Sequence, residues 1–319
     1  MKIAKDKVKN SCNMRWDRLS YRHLKKSIIM SRQHAIILIL LGGSFMSLVG
    51  LMMRLLDTQD GMVILFYRSI SLSAMVAMVA CLRRRISPLA FLRQLDSTDM
   101  VMGLALAIAF MTYVYAMLLT SVASTLFLLT TTPFMAAIIG WVWINERPHP
   151  FTWLAMIAAL IGVGMMISDG LDLGRTNGNI VALISALFFA IMLVIARRSR
   201  KADVLGGTFF GGVFSLILAG VAAVIVGGGL TISASDLGLV LFMGAFTIGI
   251  GIALVTWGTP HVPAAEVSLL VLIESVLGPL WPWIFLGEAM SRLEVIGGII
   301  VMGAVAMLAI KSNPSSPKA

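Results

Sequence analysis

Apolar residues run through the chain in long blocks, interrupted by short clusters of charged residues, Gly, Pro, Asn and Asp. A hydrocarbon core of about 30 Å is crossed by roughly 20 residues of helix, so the length of each block is a structural statement. Cutting the chain into runs of that length predicts ten helices, near residues 34–56, 61–82, 99–119, 122–144, 150–168, 178–197, 206–227, 236–258, 264–287 and 292–311. The expected class is all-α: a polytopic membrane protein with ten transmembrane helices. The run from Ala264 to Gly287 reads as one uninterrupted span.

Composition agrees with this pattern. Hydrophobic residues make up 59% of the chain and charged residues 13%, against roughly 25% charged in soluble domains. The formal charge of +10 does not point to nucleic acid, because ten of the 25 Lys and Arg lie in residues 1–33. A basic tail ahead of a span is a cytoplasmic anchor facing anionic lipid. With that tail inside, Arg83, Arg84, Arg85, Arg93, Arg147, Arg197, Arg198, Arg200, Lys201, Lys311 and Lys318 also fall inside. Only Arg54, Arg68, Arg175 and Arg292 are left for the membrane and the outside, so both termini are expected in the cytoplasm. Cys12 and Cys81 have no oxidising context, and no disulfide is expected. The first run, from near His34, carries no small-residue cleavage pattern and reads as a span.

Ten helices divide into five and five, and an odd number per half forces the second half to enter the membrane upside down. The expected organisation is a basic tail over 1–33, a first five-helix repeat over 34–168, a second over 178–311, and a polar tail over 312–319. The segment DGLDLGRTNGN supplies the turn residues between the halves. At an offset of 142 residues, STLFLLTTTPFMAAIIGWVWINE (Ser124 to Glu146) lies over EVSLLVLIESVLGPLWPWIFLGE (Glu266 to Glu288). Ala123 falls on Ala265, Leu128 on Leu270, Trp141 on Trp283 and Glu146 on Glu288. Each copy has small and hydroxyl residues in mid-helix, a Trp near the end, a terminal Glu, a short turn and another apolar helix. Inverted repeats of whole helices mark secondary transporters.

These features resemble the EamA family of the drug/metabolite transporter superfamily, over nearly the whole of 34–311. The resemblance rests on the two terminal pairs Asn145-Glu146 and Gly287-Glu288, on Pro133 in mid-helix, and on FYRS at Phe66 to Ser69. The second copy departs from it, with Ser275 where the first has Pro133. The resemblance implies a gradient-coupled carrier of small metabolites, most often amino acids and their relatives, in a bacterial inner membrane. FYRS-type members also suggest uptake of a cationic metabolite such as S-adenosylmethionine. Partners would be the metabolite, the lipid bilayer and protons, and no nucleic acid.

An ionisable group in a bilayer costs at least about 2.5–3.5 kcal/mol at mid-helix, so each one here asks for a reason. Glu274 lies ten residues into the ninth helix, about 15 Å deep, and Arg68 seven residues into the second, about 10 Å deep from the other side. Arg68 is the candidate receptor of a substrate carboxylate, for which its planar fork is suited. Glu274 is the candidate partner of an amine or of the coupling proton. The alternatives are an Arg–Glu pair that only fixes packing, or an Arg68 that snorkels to the outer interface. Glu266, eight residues before Glu274, reads as a gate or a solvated helix end. Thr132 answers to Glu274 in the overlay, and with Thr130 and Thr131 it either repairs the backbone beside Pro133 or turns to a ligand. Tyr113, Tyr115 and Trp257, the last opposite Tyr115 in the repeat, could line a cavity by their ring faces or sit in an interfacial belt.

The sequence holds no phosphate-loop motif, no H-E-x-x-H and no Cys cluster, and no nucleophile paired with a base. An enzyme and a resident cofactor are therefore not expected. The rival of another class is a non-transporting scaffold or lipid-handling protein with structural buried charges. The test is whether Glu274, Thr132 and Arg68 face an accessible space between the halves or a packed seam.

Overall fold

In the computed structural model, residues 31–58, 60–120, 122–168, 176–199, 201, 203–226, 229–287 and 291–311 are described. The basic stretch up to Met30 with Cys12, the linker with Arg175, Arg200, Glu288 and the tail from residue 312 lie outside them.

Among the described residues, ten apolar helices form the bundle: α1 (Arg32–Arg54), α2 (Gly61–Arg84), α3 (Ser97–Leu119), α4 (Ser124–Ile144), α5 (Pro150–Met166), α6 (Thr176–Arg198), α7 (Leu205–Ile225), α8 (Ala234–His261), α9 (Ala264–Leu286) and α10 (Arg292–Ile310). Nine are 19 to 28 residues long, enough to cross a bilayer; α5 is the shorter one and lies along α10. A short helix, Pro88–Arg93, joins α2 to α3 and was not expected from the hydrophobic pattern.

Polar residues fix the helix ends where the sequence turns. Asp60 accepts from the amides of Met62 and Val63 and starts α2. Asp96 and Asp99 cap α3 reciprocally. At the other ends, Asn145 and Gly287 adopt φ of 56° and 70°, the left-handed conformation that stops a helix. These two stops stand 142 residues apart.

Packing repeats between the halves. α3 packs on α6 and α7, and its counterpart α8 packs on α1 and α2. The equivalent helices α5 and α10 cross so closely that a Cβ on Gly162 would stand 2.8 Å from the Gly297 carbonyl oxygen. Likewise a Cβ on Gly42 of α1 would stand 2.6 Å from the Gly251 carbonyl oxygen of α8. Without side chains at these crossings the backbones approach, which is how helices gain attraction in lipid. The fold is two inverted five-helix repeats around a common seam.

Besides α1, which is interrupted between Met46 and Val49, three spans depart from a regular α-helix among the described residues. α4 divides at Thr130 and Thr131, where the amides reach back only three residues, to Phe127 (3.0 Å) and Leu128 (3.1 Å). α9 is not the single continuous helix expected over Ala264 to Gly287. It divides at Leu272, with Leu272 bonded to Leu269 (3.2 Å) and Ser275 to Leu272 (3.0 Å). The first segments of α4 and α9 end at Leu129 and Val271, again 142 residues apart. In α8, Met243–Ile250 widens to a π-helix, a form that often accompanies functional sites.

Candidate functional site

The α9 division places Glu274 at the start of its second segment, near the middle of the bundle. From Ala264 to Leu272 every residue of α9 is buried, and from Ile273 to Trp281 every residue is half-buried. A helix that merely faced lipid would expose one side and bury the other. Here all sides of the second segment are partly accessible, so its inward face is loosely packed. Phe110 to Tyr115 of α3 and Leu126 to Leu129 of α4 are half-buried in the same way. All three stretches lie on the side of the bundle away from the Arg83 and Arg84 loop.

Arg68 is brought to this region from α2. Only 5% of it is exposed, and its Nη2 is buried without a hydrogen-bond partner. Its guanidinium carbon lies 5.2 Å from the ring centre of Phe110. Tyr113, three residues on and on the same face of α3, stands within electrostatic reach of both Arg68 and Glu274. Arg68 and Glu274 form no ion pair with each other among the described residues. A cation and a carboxyl group thus share a phenol as electrostatic neighbour without forming a closed structural pair. Behind Arg68, Gly244 of the π-helix in α8 lets that backbone approach the Arg68 carbonyl and Ser71.

On the α1 side, a Cβ on Gly43 would stand 2.6 Å from Cγ2 of Ile273, so α1 lies directly against the division of α9. Trp281, two turns after Glu274 on the same face, donates its indole N–H to Ser47 Oγ at 2.8 Å. That contact ties α9 to the place where α1 itself is interrupted, between Met46 and Val49.

Models of one protein family match both halves of the chain, at residues 33–168 and 176–310: the EamA-like transporter family. The chain belongs to that family. A probable terminal-alkyne amino-acid exporter of Streptantibioticus cattleyicolor is 34% identical over 98 residues, which is 30% of this chain and 33% of that protein. An uncharacterized transporter of Archaeoglobus fulgidus is 26% identical over 60% of this chain and 69% of its own. The uncharacterized transporter YdfC of Bacillus subtilis is 23% identical over 58% and 62%. The match thus spans about a third of the exporter and less than two thirds of the Bacillus protein. One solved crystal structure shares the fold, with a TM-score of 0.73 at 18% identity, over 88% of this chain and 99% of that one.

In this EamA-family chain the remaining expected residues fall elsewhere. Thr132 is buried, and its hydroxyl donates to the Leu129 carbonyl at 2.6 Å. That carbonyl would otherwise take the amide of residue 133, which proline lacks, so Thr132 repairs backbone. Tyr115 packs against the cluster of Met62, Ala222 and Ala223. Trp257 lies under Arg83, 3.7 Å from guanidinium carbon to ring centre, at the basic end of the bundle. Glu266 is buried in the first turn of α9. The structure therefore brings Arg68, Tyr113 and Glu274 together and leaves Tyr115, Thr132, Trp257 and Glu266 outside that group. Phe110 and Trp281 are additions that the sequence reading missed; Phe110 was signalled only by its three-residue spacing from Tyr113.

At the basic end, charges join the halves. Asp203, ahead of α7, accepts from Arg83 at 2.8 Å and also from Arg84. Lys201 reaches Asp96 at 2.8 Å and Asp99 at 2.7 Å. Arg197 of α6 pairs with Glu146 at the end of α4 at 2.6 Å and donates to the Pro260 carbonyl. In each pair the two partners come from different repeats. The hydrogen bond from Lys201 holds the Asp96 carboxyl below its ordinary range. Burial alone would lower the Lys201 ammonium, but its bonds to Asp96 and Asp99 outweigh this and raise it. At the opposite end the halves meet through weaker contacts: Asp236 accepts from the amides of Asp57 and Thr58 at 3.1 Å, and Tyr67 donates to the Leu230 carbonyl at 2.8 Å.

Proposed function

We propose that the protein is a secondary carrier of a small zwitterionic metabolite of the amino-acid class, working by alternating access in a bacterial inner membrane with both termini in the cytoplasm. The observation that carries this reading is the buried, unpartnered Nη2 of Arg68. Together with Tyr113 and Glu274 it offers one site for a carboxylate and one for an ammonium, beside the division of α9. Paired interrupted helices at the repeat interface are where transporters of this architecture hold their solute. The amino-acid exporter among the relatives agrees in substrate class. Partial access to Glu274 and Tyr113 favours a carrier over a scaffold, although Arg68 and Thr132 are buried. Glu274 also carries the coupling proton in this scheme, and the closed basic end corresponds to a state open toward the other side.

S-adenosylmethionine carries the same amino-acid end, so a panel of labelled amino acids and this sulfonium compound separates the two readings of the substrate. The deciding experiment is flux into proteoliposomes under an imposed pH gradient. Glu274→Gln should abolish gradient-driven flux while the protein still elutes as a folded species. Flux equal to the parent protein would remove Glu274 from the mechanism.

A further inference from the structure

The basic end carries a second polar site, apart from the group around Arg68. A cleft of about 680 Å³ lies between the ends of α4, α6 and α8, bounded by Trp143, Asn145, Glu146, Arg197, Arg198 and Pro260. Arg197 is committed to Glu146 and to the Pro260 carbonyl. Arg198 pairs with no carboxylate among the described residues. Its guanidinium lies instead over the ring of Trp143, 5.4 Å from the ring centre.

A guanidinium laid against an aromatic face keeps its in-plane N–H donors free at the edge, the geometry that receives a phosphate by two parallel bonds. The surface beside the cleft is apolar and uncovered: Ile138, Trp141, Val142 and Trp143 of α4 are 54%, 48%, 79% and 47% exposed. Ile138, Trp141 and Val142 share one face of that helix by their three- and four-residue spacing. Arg147 adds a further cation over Trp141, 5.6 Å from its ring centre. Indoles at a helix end sit at headgroup level, and a basic pocket between helices at that level suits an anionic headgroup.

We propose that this cleft seats the phosphate of an anionic membrane phospholipid on Arg198, with the acyl chains running along Ile138 and Val142. Arg197, Arg198 and Glu146 leave one net positive charge in the cleft. An anionic headgroup is favoured over a zwitterionic one, whose own cation would be brought toward the arginines. The bound phosphate adjoins Arg197, which holds the two repeats together through Glu146.

The test is native mass spectrometry of the full-length protein in detergent, titrated with phosphatidylglycerol or phosphatidylcholine. The parent protein should retain phosphatidylglycerol several-fold more. Arg198 is exposed, so Arg198→Gln leaves the fold intact, and it should reduce that preference about fivefold. Arg93→Gln, which removes an exposed arginine of the short helix Pro88–Arg93, should leave it unchanged. Equal retention of the two lipids, or an Arg198→Gln protein that keeps the full preference, would overturn the proposal. So would displacement of the lipid by millimolar inorganic phosphate, which would make this a site for the free ion.

Discussion

Arg68 is held at a cost. A buried donor without a partner destabilises a fold by about 1–3 kcal/mol, and the Nη2 of Arg68 is such a donor. In the carrier reading proposed above, that cost is set against the binding of the solute. Arg68→Met, which fills similar space without polar atoms, is therefore expected to raise the melting temperature by a few degrees and to abolish substrate uptake. Scanning fluorimetry beside a flux assay checks both halves; a lowered melting temperature would make Arg68 a packing residue. The prominence of Arg68 and Glu274 was legible in the sequence because charge is costly in lipid wherever it occurs. Their relation was not. Depth along two helices says nothing of rotation about their axes, and it was rotation that brought Tyr113 within reach of both and put Trp257 under Arg83.

At the scale of the helix, the divisions of α4 and α9 match in place but differ in origin. In α4 the cause is local: Pro133 cannot donate to the Leu129 carbonyl, and Thr132 does so instead. Thr132→Val keeps the shape and removes that donor, so it is expected to cost about 1–3 kcal/mol, read as a fall in thermal stability. An unchanged melting temperature would show that the carbonyl finds another donor. The α4 division could be anticipated from the run TTTP. In α9 the tightened turn runs from Leu272 to Ser275, a stretch without proline, and a continuous span was the reasonable expectation. Its two prolines, Pro279 and Pro282, lie beyond the division. What distinguishes the place is the neighbour: Gly43 of α1 lets Ile273 press against the backbone there.

For the molecule as a whole, the asymmetry between the two ends is the main mechanical fact. Ion pairs join the repeats at the basic end, and hydrogen bonds from Asp57, Thr58 and Tyr67 join them at the other. Cys81 lies beneath the clasp, packed against Phe91, Leu205 and Ala253, and serves as a native reporter. In a background where Cys12 is replaced by Ser, Asp203→Asn should raise maleimide labelling of Cys81 several-fold, because both Arg83 and Arg84 lose their shared acceptor. The pH dependence has a definite sign. A carboxyl held below its ordinary value of 3.8, as Asp96 is, contributes stability above that value and loses it as the pH falls through the lowered one. Lys201, raised above 10.5, contributes below that value and loses its contribution as the pH rises beyond. The protection of Cys81, read as its labelling relative to a free thiol at the same pH, should therefore fall below about pH 4 and above about pH 10. Labelling unaffected by Asp203→Asn would mean that the basic end is closed by apolar packing alone.

The sequence by itself determined the all-helical class, the count of apolar helices, their grouping into two repeats of five, and the family. These depend on quantities that run along one dimension: the length of an apolar run against the thickness of a bilayer, and a spacing of 142 residues between like features. Only the tertiary structure decided which polar side chains share a space, where α9 divides, and that the charged loops clasp one repeat to the other. Those outcomes depend on helix rotation and on close crossings such as Gly42 on Gly251, which arise between segments far apart in the chain and leave no periodic trace in either one.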